Sequence, residues 1–253
     1  ALVHIYQDGS VGVSTGAVEM GQGVNTKMAA VAAKTFSVEP HRIKLETTNT
    51  TRVANTSPSA ASATADLNGK ALEMACEALR ERLIDVAVKE LGAKRGQLEI
   101  RDETVLRNGN ETSLTWEKLV QTAFINRVNL SESAHYATPE IHFDPKQEKG
   151  HPFAYHVYGT AILTVTVDCL RGIYEFDSVK LVHDFGKPLC ETIDRGQVEG
   201  GLVQGIGWMT MEEVIYNDEG RLLTNALSTY KVPDIYSAPK TVEIEPLKTD
   251  GHP

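Results

Sequence analysis

Cysteine is scarce: Cys76, Cys169 and Cys190 lie far apart in 253 residues and form no C-x-x-C pair. That argues against a disulfide framework or a cysteine-bound cluster and suits a reducing, cytoplasmic setting. Positive charge is also in short supply, with 25 Lys and Arg against 34 Asp and Glu, a formal net charge of -9. Nucleic acid and anionic membrane surfaces call for clustered Lys and Arg, and with no such cluster neither partner is expected. No apolar run approaches the roughly 20 residues that a membrane-spanning helix needs. The eight histidines contain no H-E-x-x-H and no His/Cys spacing suited to zinc, so no protein-ligated metal is expected. A G-x-S-x-G elbow and a Walker lysine motif are both missing. Asp184-Phe185-Gly186 matches the kinase magnesium tripeptide by letter, but no H-R-D loop accompanies it, so it reads as a strand end and turn.

What remains is an ordinary folded composition, 41% hydrophobic and 23% charged, long enough for one large domain or two smaller ones. Leu2 to Tyr6, a turn at Asp8-Gly9, and Val11 to Thr15 read as a hairpin. Helical spacing runs from Thr26 to Phe36, and a probable strand covers Ile43 to Glu46. Ala65 to Leu91 is the strongest helix, with Leu72, Cys76, Leu79, Leu83 and Val86 on one face and Gly92 as its stop. Two short strands are expected about Asp102, then a helix from Leu114 to Phe124 capped by Ser113. Residues 130–153 read as a long connection broken by Pro139, Pro145 and Pro152. A larger hairpin turns at Arg171-Gly172, a small-residue helix runs from Val198 to Trp208, and strands are expected near Val214, Leu222 and Val242 to Ile244. Strands and helices alternate without a regular βαβ beat, which predicts an α+β fold of mixed sheets with packed helices. Two portions are expected, residues 1–130 and 131–253, the second truncated at its C-terminus; both chain ends read as cut from a longer protein.

Three stretches invite a binding reading beside a plain structural one. In Gly21-Gln22-Gly23 the glycines let the main chain turn and approach a partner closely, while Gln22 offers an acceptor and two donors. The run is either an ordinary turn or a cradle for a polar ligand, and threonine at 26 departs from a dinucleotide fingerprint. Residues 55–66 have the composition of a linker, yet they feed straight into the longest helix, where Ser62 and Thr64 could hold a phosphate. Ala60 and Ala61 would let a bulky group lie against the backbone there. Gly200, Gly201, Gly205 and Gly207 make a nearly side-chain-free surface on a short helix, interrupted by Gln204; close helix packing is the plain alternative.

Taken jointly, G-A-V-E-M-G-Q-G at 16–23, N-T-S-P-S-A-A-S-A-T-A-D-L-N-G at 55–69 and Q-V-E-G-G-L-V-Q-G-I-G at 197–207 resemble the molybdenum-binding region of the xanthine dehydrogenase and aldehyde oxidase family. Their order and separation match as well as their letters. Pro152-Phe153 to Gly159 and Ser228 to Pro233 are further landmarks that favour the xanthine dehydrogenase branch.

The resemblance implies two intertwined α/β repeats and a molybdopterin cofactor that brings its own metal ligands. By carry-over, Met20, Gly21, Gln22 and Gly23 would face the pterin and metal, and Ala60 and Ala61 would flank the metal. Ser62 and Thr64 would approach the phosphate, and Gln204 would bond the pterin. It also implies oxidative hydroxylation of a purine or an aldehyde with oxygen from water. The electrons would leave through iron-sulfur clusters to FAD on other domains or subunits, within a dimeric complex. The family's general base is a glutamate in a G-E-P motif, and this chain contains no G-E-P. No catalytic residue is therefore assigned here: Glu19, Glu199 and Glu212 are not promoted to the role, and the chain alone is expected to be inactive. The alternatives are an aldehyde oxidase-type hydroxylase, a non-catalytic interaction or assembly domain of the same fold, and a nucleotide-binding domain using residues 21–26.

Overall fold

A computed structural model describes residues 1–52, 56–60, 63–247 and 249 of the chain. They fall into two compact units, Ala1–Ala154 and Tyr155–Pro253. The architecture is α+β.

The first unit begins with strands β1 (Leu2–Ile5) and β2 (Val11–Ser14), antiparallel, with Leu2 opposite Ser14 and Ile5 opposite Val11. The expected Asp8-Gly9 turn joins them. Gly9 takes a φ of 84°, and the Asp8 carboxylate accepts from the Ser10 N–H at 3.0 Å and from its hydroxyl at 2.6 Å. Helix α1 (Val24–Phe36) follows and leads to β3 (Ile43–Leu45), which pairs parallel to β2. Helix α2 (Thr64–Leu91) buries Leu72, Cys76, Leu79, Leu83 and Val86, the face its periodicity predicts, and stops where Gly92 adopts a φ of 55°. Complete burial of a Leu side chain stabilises the fold by about 2–3 kcal/mol, so this face anchors the unit. It also pushes the Cys76 thiol up to about 12, leaving it a packing group rather than a nucleophile.

Strands β4 (Leu98–Arg101), β5 (Thr104–Arg107) and β6 (Asn110–Thr115) form a second sheet in that order. The turn at Asp102-Glu103 uses two non-glycine residues at φ 46° and 62°. Outside contacts hold that turn: Ser37 Oγ accepts from the Asp102 N–H at 3.0 Å, and Ser37 O accepts from the Glu103 N–H at 2.9 Å. The half-buried Arg42 guanidinium donates to Glu103 Oε1 at 2.5 Å and also pairs with Glu117. Its hydrogen bond keeps the Glu103 carboxyl below the usual carboxylate range.

Three sequence expectations change here. The helix expected from Leu114 is α3 (Trp116–Ile125), and its cap is Thr115, whose side chain accepts from the Lys118 N–H at 3.5 Å, not Ser113. Residues 110–115 form β6 instead, because Asn108 and Gly109 at φ 52° and 80° close a two-residue hairpin against β5. The segment expected to be a long connection contains β7 (Ser131–Ser133), β8 (His142–Asp144) and β9 (Lys149–His151). β7 pairs antiparallel with β1 and completes the sheet order β3-β2-β1-β7, while β8 and β9 form a small hairpin.

The second unit is built on β10 (Gly159–Asp168) and β11 (Ile173–His183), the larger hairpin, with β12 (Thr241–Pro246) parallel to β11. Helix α4 (Glu191–Thr210) packs against β12 and starts seven residues before the expected Val198. The acids Glu191 and Asp194 in the first turn favour the earlier start, and the Asp194 carboxylate accepts from the Cys190 N–H at 3.3 Å.

Candidate cofactor site

The first two motifs meet in space. Residues 16–18 leave β2 and run beside residues 56–59, the approach to α2. The Val18 N–H donates to Ser59 Oγ at 2.8 Å, and Thr48 Oγ1 donates to Ala17 O at 2.9 Å. Gly16 is required at this crossing: a Cβ there would stand 2.5 Å from Thr56 Oγ1 and 2.6 Å from Thr56 Cγ2. Behind the crossing, α1 and α2 pack together, with Gly69 admitting Met28 Cε to 3.6 Å of where its own Cβ would be. A stretch of linker-like composition is thus tied to the glycine-rich loop by the Ser59 hydroxyl.

The loop itself is exposed. Gly21 sits at φ 98°, and no described atom lies within 4 Å of the place its Cβ would occupy, so the main chain there is open to a flat partner. Gly23 caps α1 at φ 77°. Met20, on the other side of Gly21, is 67% exposed. Gln22 is used within the loop: its Oε1 accepts from the Met20 N–H at 2.6 Å and its Nε2 donates to Val18 O at 2.8 Å. One N–H of that amide remains for a guest.

The amides entering α1 are taken by Glu19. Its Oε1 accepts from the Gly21 N–H at 2.8 Å and the Gly23 N–H at 3.0 Å, and its Oε2 accepts from the Asn25 N–H at 2.9 Å. These bonds, the Asn25 one foremost, hold its carboxyl below the usual range. The N-terminal amides of α1 that would favour an anion are therefore filled from within the chain. α2 differs: its N-cap is Ala63, which provides no side-chain acceptor for the first turn, and Thr64 is the first helical residue. Thr64 thus places a hydroxyl at the start of α2. Ala60 is exposed just before that turn. Ala61 and Ser62 lie outside the described residues.

Gln204 lies exposed on α4 in the second unit. Added Cβ atoms at Gly200, Gly201 and Gly205 would meet no described atom within 4 Å, whereas one at Gly207 would press on Pro233 at 2.6 Å and on Glu212. Close packing thus accounts for Gly207 and leaves the other three without a structural reason inside the unit. The acids near the motifs are engaged elsewhere. Glu212 accepts from the Tyr230 hydroxyl, and Glu199 pairs with Arg195 at 3.2 Å. With Glu19 on backbone amides, none of the three is poised as a base. Among the described residues no group of three or more His, Cys, Asp or Glu could hold a metal ion, and no helix is long and apolar enough to cross a membrane.

The Gly21 backbone is thus open, and the Gln22 amide keeps one N–H unused by the loop. The sequence is 40% identical over 248 residues to xanthine dehydrogenase/oxidase of Mus musculus, covering 98% of this chain and 17% of that protein. The corresponding enzyme of Felis catus is 38% identical over the same length. The fold is similar to quinoline 2-oxidoreductase from Pseudomonas putida 86, with a TM-score of 0.83 and 25% identity, covering 99% of this chain and 31% of that one. The chain thus spans about a sixth of the length of the curated relatives it matches. The family model described as the molybdopterin cofactor-binding domain matches residues 1–239, and the chain belongs to that family.

Proposed function

We propose that this chain forms part of the molybdopterin-binding wall of a molybdenum hydroxylase of the xanthine dehydrogenase type, acting on a purine or related heterocycle. The observation that carries the reading is the Val18–Ser59 crossing, which brings the loop of the open Gly21 backbone against the segment that leads to α2. Identity of 36–40% to xanthine dehydrogenases across almost the whole chain favours a purine over an aldehyde.

When bound, the cofactor supplies the redox centre at which an electron-poor carbon is hydroxylated with oxygen from water. The residues of this chain do the holding. Gly21 and Gly23 bring main chain close to the ring system, with Met20 beside them, and Gln22 offers its remaining N–H. Ser62 and Thr64 approach the phosphate, and Ala60 and Ala61 flank the metal. Gln204 bonds the pterin. The general base, the rest of the molybdenum subunit, and the iron-sulfur and FAD modules come from other parts of a dimeric, cytoplasmic complex, so the chain by itself turns over nothing.

Gln22→Ala and Thr64→Val in the complete protein test this. Each removes one charge-assisted or amide hydrogen bond to the guest, and molybdenum per protein should fall by about threefold or more. Xanthine should be hydroxylated faster than aldehydes by the unaltered protein. Unchanged molybdenum in both variants contradicts the residue roles, and preference for aldehydes moves the chain to the aldehyde oxidase branch.

A further inference from the structure

We infer that Glu19 is the positioning residue of the Gly21-Gln22-Gly23 loop, a built-in carboxylate that fixes the loop's shape. The inference rests on the cofactor reading above and assigns Glu19 no contact with the cofactor.

The geometry is unusual for an exposed acid. One carboxylate closes onto the backbone of residues two, four and six positions ahead, accepting from Gly21, Gly23 and Asn25 at 2.8, 3.0 and 2.9 Å. Two of those donors belong to glycines at φ 98° and 77°, a backbone with wide freedom when nothing restrains it. Met20 and Gln22 lie inside the span that Glu19 ties. The Gln22 amide closes the other side, from Met20 N–H to Val18 O. The two side chains therefore lock one loop from opposite ends, and Gln22 can present its spare N–H in one direction only while Glu19 holds.

The test uses the complete protein, with Glu19→Ala and Glu19→Gln beside the unaltered chain. Backbone hydrogen exchange of residues 18–25 is measured in cofactor-free protein, and molybdenum content in protein loaded during expression. Loss of charge-assisted bonds should raise exchange in Glu19→Ala by about tenfold, with Glu19→Gln intermediate because its amide keeps one acceptor oxygen. Molybdenum should fall in the same order. Acetate at tens of millimolar, about the concentration a weak exposed anion site requires, should restore loop protection in Glu19→Ala alone. The melting temperature should stay within about 2 °C, as for surface substitutions generally. Unchanged exchange overturns the inference. So does loss of molybdenum without loosening, which would put Glu19 on the cofactor itself. Loosening with full molybdenum content overturns the link to the cofactor. If Gln22→Ala and Thr64→Val also retain full molybdenum, the failure lies instead with the cofactor reading.

Discussion

Trp116→Ala should destabilise the first unit by about 3–5 kcal/mol, the range for removing a fully buried large aromatic side chain. Trp116 is 0% exposed, its ring centroid lies 5.5 Å from that of Phe36, and its indole N–H donates to Gly9 O at 2.7 Å. It therefore ties α3 to the end of α1 and to the β1–β2 turn at once. A Cβ at Gly9 would stand 3.0 Å from the indole, so the turn packs directly on the ring that the substitution removes. Against a typical domain stability of about 5–15 kcal/mol, the loss would leave the unit marginal at 37 °C. Trp116→Phe separates the two contributions: it keeps most of the packing and should cost about 1–3 kcal/mol, the penalty for stranding the buried Gly9 carbonyl. Denaturant unfolding of the complete protein followed by probes in this unit gives both numbers. An alanine variant that lost under about 1 kcal/mol would show that Trp116 does not organise the core.

The second large effect is expected at Gly16. Glycine is needed there for space: Thr56 Oγ1, Cγ2 and Cβ would lie 2.5, 2.6 and 3.0 Å from an added Cβ. Rotating the Thr56 side chain exchanges one close atom for another, so the clash is relieved only by moving residues 56–59 away from the loop. That breaks the Val18–Ser59 hydrogen bond and separates the two halves of the proposed cradle. Gly16→Ala should lower molybdenum content by about tenfold, more than loss of any one polar contact, since overpacking costs about 1–3 kcal/mol and displaces several groups together. Adding Thr56→Gly should restore much of the loss, and that coupling distinguishes a steric crossing from general damage.

Much of this fold was legible in the sequence where local chemistry decides. The buried face of α2 follows from helical spacing, its end from Gly92, and the hairpins from alternation about Gly9 and Gly172. The chain was least readable where distant residues choose between equals. Ser113 and Thr115 are both competent caps, and only the pairing of β6 with β5 makes Thr115 the one that serves. Asn108-Gly109 was the signal for that strand. Short strands such as β7 gain order from partners 130 residues away, which no local pattern contains. At Gly21 the glycine leaves the backbone open. The tie between Val18 and Ser59, 41 residues apart, was beyond any window, as was the role of Glu19. An acid two residues before a glycine is ordinary in sequence, and it becomes distinctive only when three amides turn toward it.

The account stands on the Gly21-Gln22-Gly23 loop and the start of α2 being two walls of one cofactor seat. Hydrogen exchange of the complete protein, compared with and without bound molybdopterin, tests that most directly. Peptides covering residues 18–25 and 63–68 should both gain protection when the cofactor is present. Identical exchange of both peptides in the two forms, with protection appearing only elsewhere, would contradict it.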